Sequence, residues 1–151
     1  MRIFAPVGNV AQDCERILRT LPGWFGNEAA LIDYAKATAS YLTFVAENVD
    51  GAKAFLSLRQ HSPESWEIHC IAVDASFRNK GIGRALLAHA EQWLRQNTVV
   101  FLQVKTLAPL HSSLEYGETR EFYTRVGFVP LEVFPNLWGP NLPVLQMIKV
   151  L

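Results

Sequence analysis

The chain has few cysteines and few charged residues. Its two cysteines, Cys14 and Cys70, stand among 151 residues, too few for a disulfide framework and not spaced as metal ligands, so no metal site is expected. Only 19% of the residues are charged, and fourteen basic residues balance fourteen acidic ones. A neutral chain has no general attraction for nucleic acid or for an anionic membrane, and neither is expected as a partner; any anion site must be built locally. No basic N-terminal stretch precedes a sustained apolar run, and no apolar segment approaches the length of a membrane span. The composition is otherwise ordinary, with 50% of the residues hydrophobic. A soluble, cytoplasmic protein with one domain over residues 1–151 is expected.

Hydrophobic periodicity divides the chain into alternating elements. Residues 1–7 alternate weakly and suggest a first strand. Val10 to Leu21 carries Val10, Cys14, Ile17, Leu18 and Leu21 at helical spacing, closed by Pro22 and Gly23. Asn27 is suited to cap a second helix. Residues 41–46 and 52–58 form a hairpin about Val49-Asp50-Gly51, and Trp66 to Val73 is a third strand. Gly81 to Asn97 is the clearest helix, with Ile82, Leu86, Ala90, Trp93 and Leu94 on one face. A strand at 99–104, a loop at 106–117, a short helix at 118–126 stopped by Gly127, and two strands at 128–134 and 144–151 complete the pattern. The expected fold is α/β (α+β), a layered structure on a central mixed sheet.

One place breaks a local rule. A helix start favours acids, because its unpaired N–H groups leave it partly positive. The helix at Gly81 is instead approached and opened by Arg78, Lys80 and Arg84, an arrangement that becomes favourable when an anion is present. Gly81 and Gly83 have no Cβ to keep a phosphate from the backbone. The glycines do not fit a Rossmann turn, and no Lys-Ser or Lys-Thr follows them as in a P-loop.

The run Arg78-x-x-Gly81-x-Gly83 resembles the acetyl-CoA signature of the GNAT superfamily of N-acetyltransferases. Tyr123-Thr124-Arg125-Val126-Gly127-Phe128 is similar to that family's Y-x-x-x-G-F segment, and the resemblance runs from about residue 41 to the C-terminus. It implies a splayed sheet of about seven strands flanked by about four helices, with acetyl-CoA as cosubstrate. It further implies that the pyrophosphate lies on N–H groups of Arg78, Asn79, Lys80, Gly81, Ile82, Gly83 and Arg84. The pantetheine arm would pair with Ile71, Ala72 and Val73, and Phe122 would contact the coenzyme.

Acyl transfer to an amine requires a base for the amine, donors for the developing oxyanion and an acid for the leaving thiolate. Glu67 and His69 share one face of the strand that leads into the cradle. Glu67-Ile68-His69-Cys70-Ile71-Ala72-Val73 resembles the corresponding strand of the histone acetyltransferase branch, where the matching Glu is the base. Burial beside Trp66 and Ile68 would adapt a carboxylate to that task; His69 starts nearer neutrality, and catalysis without a single base is the third alternative. By the same resemblance Tyr123 is the general acid and the N–H of Val73 the oxyanion donor. Cys70 falls on the opposite strand face and reads as a small buried residue.

The implied reaction is acetyl transfer to a primary amine by direct attack in a ternary complex. The alternative is a non-catalytic acyl-CoA-binding or sensing module on the same fold. The acceptor, a small molecule or a peptide, would be chosen by Leu21 to Ser40 and Lys105 to Gly117, which offer Trp24, Phe25, Glu28, Asp33, Tyr34, Glu115 and Tyr116. The segment Trp138-Gly139-Pro140-Asn141 is suited either to a homodimer contact or to capping the site.

Overall fold

A computed structural model describes residues 1–6 and 8–151; the end of the expected first strand, Val7, lies outside the described residues. Among the described residues, seven strands form one mixed sheet accompanied by four α-helices. The chain gathers into two compact units, one holding residues 1–59 and 68–97, the other residues 60–67 and 98–151. No helix among the described residues is long and apolar enough to cross a membrane.

In the first unit β1 (Arg2–Phe4) pairs antiparallel with β2 (Leu42–Asn48), and β2 with β3 (Gly51–Gln60) through the Asn48↔Gly51 hairpin end. Gly51 has φ 105°, a left-handed turn that suits glycine. The last residues of β4 (Ser65–Val73) belong here too. Successive strand residues point to opposite faces, and β2 uses both. Val45 packs with Cys14, Ile17 and Leu18 of α1 (Ala11–Arg19) and with Leu31 and Ala35 of α2 (Glu28–Ala37). Phe44 turns the other way and meets His89 and Trp93 of α3 (Ile82–Gln96), with ring centroids 5.3 and 6.5 Å apart. Asn27 caps α2 by accepting the Ala30 N–H at 2.9 Å. Arg19 clasps Glu28 with two bonds of 3.0 and 2.6 Å.

The second unit holds β5 (Phe101–Leu107), β7 (Val144–Val150) and β6 (Val129–Phe134), each neighbour antiparallel to β7, together with α4 (Leu114–Arg125). Here the structure corrects the sequence reading. Thr106 and Leu107 are not loop residues but pair with Leu145 and Val144, so β5 runs three residues beyond the expected strand end. The helix expected at Glu118 starts at Leu114, because Ser113 accepts the Tyr116 N–H and caps it. Gly117 sits inside its first turns, its N–H bonded to the Ser113 carbonyl. A glycine costs a helix interior about 1 kcal/mol, which a serine cap of about 1 kcal/mol offsets.

Candidate active site

The turn from β4 into α3 is fastened on its outer side. Asp74 accepts the Ser76 N–H at 2.9 Å, and its own N–H reaches the Lys53 carbonyl at 2.8 Å. The Ala75 N–H donates to Thr20 Oγ1, and Arg16 bonds the Ala52 carbonyl, tying the turn and β3 to α1. Beyond this anchor Asn79 has φ 60° and Gly81 φ 80°. Two left-handed residues flank Lys80, the kind of alternating backbone in which successive N–H groups can turn to one side. This turn runs directly into α3, whose N-cap, Gly81, provides no side-chain bond and whose first turn carries no acid. Its first intrahelical bond from beyond that turn is Ala85 N–H to Gly81 carbonyl, so the N–H groups of Ile82, Gly83 and Arg84 have no helical partner. These features fit a pyrophosphate: uncapped donors, a positive helix end and a basic surround.

The basic side chains divide in their contacts. Arg78 lays its guanidinium over the Trp24 ring, 4.3 Å from the centroid. Lys80 and Lys53 both lie over Phe77, at 5.1 and 5.2 Å. Arg84, Asn79 and Lys80 are exposed. Ile71 and Val73 are partly buried and Ala72 is buried on the strand that leads into the turn.

Glu67 is buried, 7% exposed, but its surroundings are polar as well as apolar. Its Oε2 accepts from Lys105 Nζ at 3.0 Å and its Oε1 lies 2.6 Å from His61 Nε2. Lys105 also reaches Gln103 Oε1 at 3.4 Å, which accepts from Gln146 Nε2 at 2.7 Å. A buried carboxylate needs such partners. His69 has a different setting: its ring meets Tyr34 and Tyr41 at 5.1 and 4.9 Å between centroids, and Tyr34 meets Phe25 at 5.7 Å. His61 was not among the residues that the sequence marked as functional, and Lys105 entered only as the first residue of the acceptor-selecting segment, not as a partner of Glu67. His61 lies six positions before Glu67 across the Ser62-Pro63 turn, which was a legible signal; Lys105, on a distant strand, left none.

Tyr123 is 4% exposed, with its ring 5.4 Å from those of both Phe122 and Phe128. The end of α4 accounts for the whole Tyr123–Phe128 pattern. The Gly127 N–H bonds the Thr124 carbonyl at 3.2 Å and the Phe128 N–H the Tyr123 carbonyl at 2.9 Å, the paired bonds of a Schellman stop, with Gly127 left-handed at φ 102°. The aromatic contact between the first and last members of the pattern is the apolar clasp such stops carry.

Of the groups expected to hold an acceptor, Glu28 is engaged by Arg19, which holds its carboxyl below the usual range. Trp24 carries Arg78, and Phe25 and Tyr34 join the aromatic cluster at His69. Glu115 and Tyr116 belong to α4. The cysteines are inert by burial: the Cys14 thiol is pushed up to about 12 and that of Cys70 higher. Trp138 is partly exposed, in the turn after β6.

A strand entering an uncapped, acid-free helix through a left-handed turn is an arrangement suited to receive an anionic group. Residues 39–130 match the model of the acetyltransferase (GNAT) domain family; this is more than half the chain, which therefore belongs to the GNAT acetyltransferases. Solved structures agree on the fold. An aminoglycoside 6'-N-acetyltransferase complexed with coenzyme A has 20% identity and a TM-score of 0.79, covering 99% of this chain and 97% of that one. A GNAT-family protein from Desulfovibrio desulfuricans has 18% identity and a TM-score of 0.83 over 99% and 98%. The ribosomal-protein-S18-alanine N-acetyltransferase from Escherichia coli has 20% identity and a TM-score of 0.75 over 99% and 92%. No curated protein matches the chain by sequence.

Proposed function

We propose that residues 1–151 act as one N-acetyltransferase domain, moving an acetyl group from acetyl-CoA to a primary amine by direct attack in a ternary complex. The observation that carries this reading is the uncapped start of α3, with Asn79 and Gly81 left-handed before it and Arg78, Lys80 and Arg84 around it. Bound acetyl-CoA supplies an activated acetyl group as its thioester. The N–H groups from Arg78 to Arg84 hold its pyrophosphate, the Ile71–Val73 backbone and Phe122 take the pantetheine arm, and the Val73 N–H donates to the carbonyl oxygen as charge develops there. Glu67 takes the proton of the attacking amine, with His69 as the rival base. Tyr123 donates its phenolic proton to the departing sulfur.

The acceptor is a small-molecule amine in this reading. Aminoglycoside acetyltransferases among the structural neighbours support that class, and the aromatic cluster of Phe25, Tyr34 and Tyr41 can face an ammonium. Two measurements test the proposal. A thermal-shift titration should show stabilisation by acetyl-CoA and, more weakly, by coenzyme A; no response at millimolar acetyl-CoA sinks the cradle. Thiol release is then followed with kanamycin A, spermidine and an alanine-initiated peptide, with the products weighed by mass spectrometry. Turnover of the peptide alone would transfer the proposal to a protein N-terminus.

A further inference from the structure

We infer that His61 is the proton outlet of Glu67, a relay residue that resets the buried carboxylate after each turnover; this rests on the reading of Glu67 as the base. A carboxylate that takes a proton from each amine must lose it before the next cycle. Glu67 is 7% exposed, which restricts direct exchange with water. It has two close partners with opposite capacities. Lys105, 3.0 Å from Oε2, is an ammonium with donors only. His61, 2.6 Å from Oε1, has an imidazole nitrogen that can accept, and 32% of its side chain is open to solvent. Imidazole is the side chain whose ordinary titration spans neutrality, so it both takes and releases a proton there.

The backbone holds this arrangement. The N–H groups of His61 and Ser62 both donate to the Ser65 carbonyl, at 3.0 and 3.1 Å, and the Ser65 N–H returns a bond to Ser62 Oγ at 3.1 Å. This turn sets His61 beside the carboxylate two positions further on. Lys105 from β5 is the charged group that faces Glu67 from the neighbouring strand, steadied by Gln103 and, through it, Gln146 of β7. The proton balance closes. The amine N–H proton passes to the Glu67 carboxylate and crosses to Nε2 of the Nδ1–H tautomer of His61 to give an imidazolium. The Nδ1 proton leaves to water, and tautomer exchange through water frees Nε2 for the next cycle. The Tyr123 phenolate regains its proton from water, so the carboxylate, the ring and the phenol all return to their starting states.

The test compares His61→Ala, His61→Gln and Glu67→Gln with the unaltered chain. It uses whichever of the three probe amines turns over and, in every case, acetyl-CoA hydrolysis, in which water also surrenders a proton. The relay requires His61→Ala to lower kcat about 10- to 100-fold with the amine KM within about threefold, and added imidazole to restore several-fold of the loss. His61→Gln, which keeps a hydrogen bond but cannot carry the proton, should stay slow, and imidazole should not help Glu67→Gln. Melting curves check that each variant is folded. The relay is overturned if His61→Ala keeps kcat within twofold while Glu67→Gln is slow, or if His61→Gln restores the rate, which would make the contact structural. An unresponsive His61→Ala in imidazole also overturns it. A fully active Glu67→Gln removes the base itself, a distinct failure.

Discussion

Arg78, the first residue of the cradle motif, lies with its guanidinium 4.3 Å from the centre of the Trp24 ring. The ring comes from the connection between α1 and α2, so a segment remote in sequence from Arg78 sets the direction of its guanidinium. A guanidinium stacked on an indole loses less freedom when it meets a phosphate, and such a stack contributes about 0.5–2 kcal/mol. Trp24→Ala should therefore raise the acetyl-CoA Kd about 3- to 10-fold in a calorimetric titration, and Trp24→Phe should recover most of the affinity. Equal affinity for Trp24→Ala would mean that the stack does not prepare the Arg78 guanidinium for the coenzyme.

Among the protein's own atoms, it is the backbone conformation of Gly81 that calls for glycine. A Cβ built on it meets nothing within 4 Å, yet its φ is 80°. Gly81→Ala should cost about 1–2 kcal/mol of stability and weaken acetyl-CoA binding at least 10-fold, because relaxing φ turns the N–H groups away. Asn79→Gly, which eases the other left-handed residue at φ 60°, should leave the affinity within about twofold. A Gly81→Ala variant that bound acetyl-CoA normally would show that the turn does not shape the site.

The regions readable from sequence were those in which one local rule acted alone. Asn27 caps α2 because a short side chain reaches an N–H three residues on. The start of α3 stood out because its charges oppose its own helix end. The α4 start was misread because Gly117 argues for a loop, whereas the cap that outweighs it is a single serine four residues earlier. The pairing of Lys105 with Glu67 escaped notice because the two are 38 residues apart, and no period or spacing encodes that. His61 could have been found from the tight turn before Glu67.

Tyr123 and Phe128 occupy the two ends of one helix stop, and their substitution should separate packing from chemistry. Phe128 is 1% exposed, so Phe128→Ala should cost about 3–5 kcal/mol in denaturant unfolding. Tyr123→Phe retains the ring against Phe122 and Phe128 and should change stability far less. Its kcat should fall about 10²- to 10⁴-fold with acetyl-CoA affinity within a few-fold. A kcat equal to that of the parent chain would leave Tyr123 a packing residue.

The buried thiols predict an alkaline weakness. Burial lifts the Cys14 thiol to about 12 and Cys70 further, so the folded chain holds both protons more tightly than the unfolded chain does. Stability from such groups is complete below the ordinary thiol range and is lost as pH rises through about 9 to 12. Unfolding free energy should fall over that window by up to about 1.4 kcal/mol per pH unit for each thiol. Cys14→Ala should make the decline shallower; an unchanged slope would show that the thiol does not titrate on unfolding.

Glu67 and His69 can be told apart by how their deletion acts, because their surroundings differ. Glu67 is held by Lys105 and His61, whereas the His69 ring lies against Tyr34 and Tyr41. If Glu67 is the base, Glu67→Gln keeps the shape and loses the proton affinity. The acidic limb of kcat/KM should flatten and the neutral rate fall about 10²-fold or more. This variant also leaves the Lys105 ammonium, partly buried, without its counter-charge, which lowers stability by a separate route. The double variant Glu67→Gln with Lys105→Met removes that charge: stability should return while the rate stays low. His69→Gln should change the amine KM and leave the limb in place. Exchange of these outcomes would make His69 the base. If both single variants keep the parent rate and limb, the limb belongs to the substrate amine, and the enzyme acts by positioning a neutral amine against the thioester.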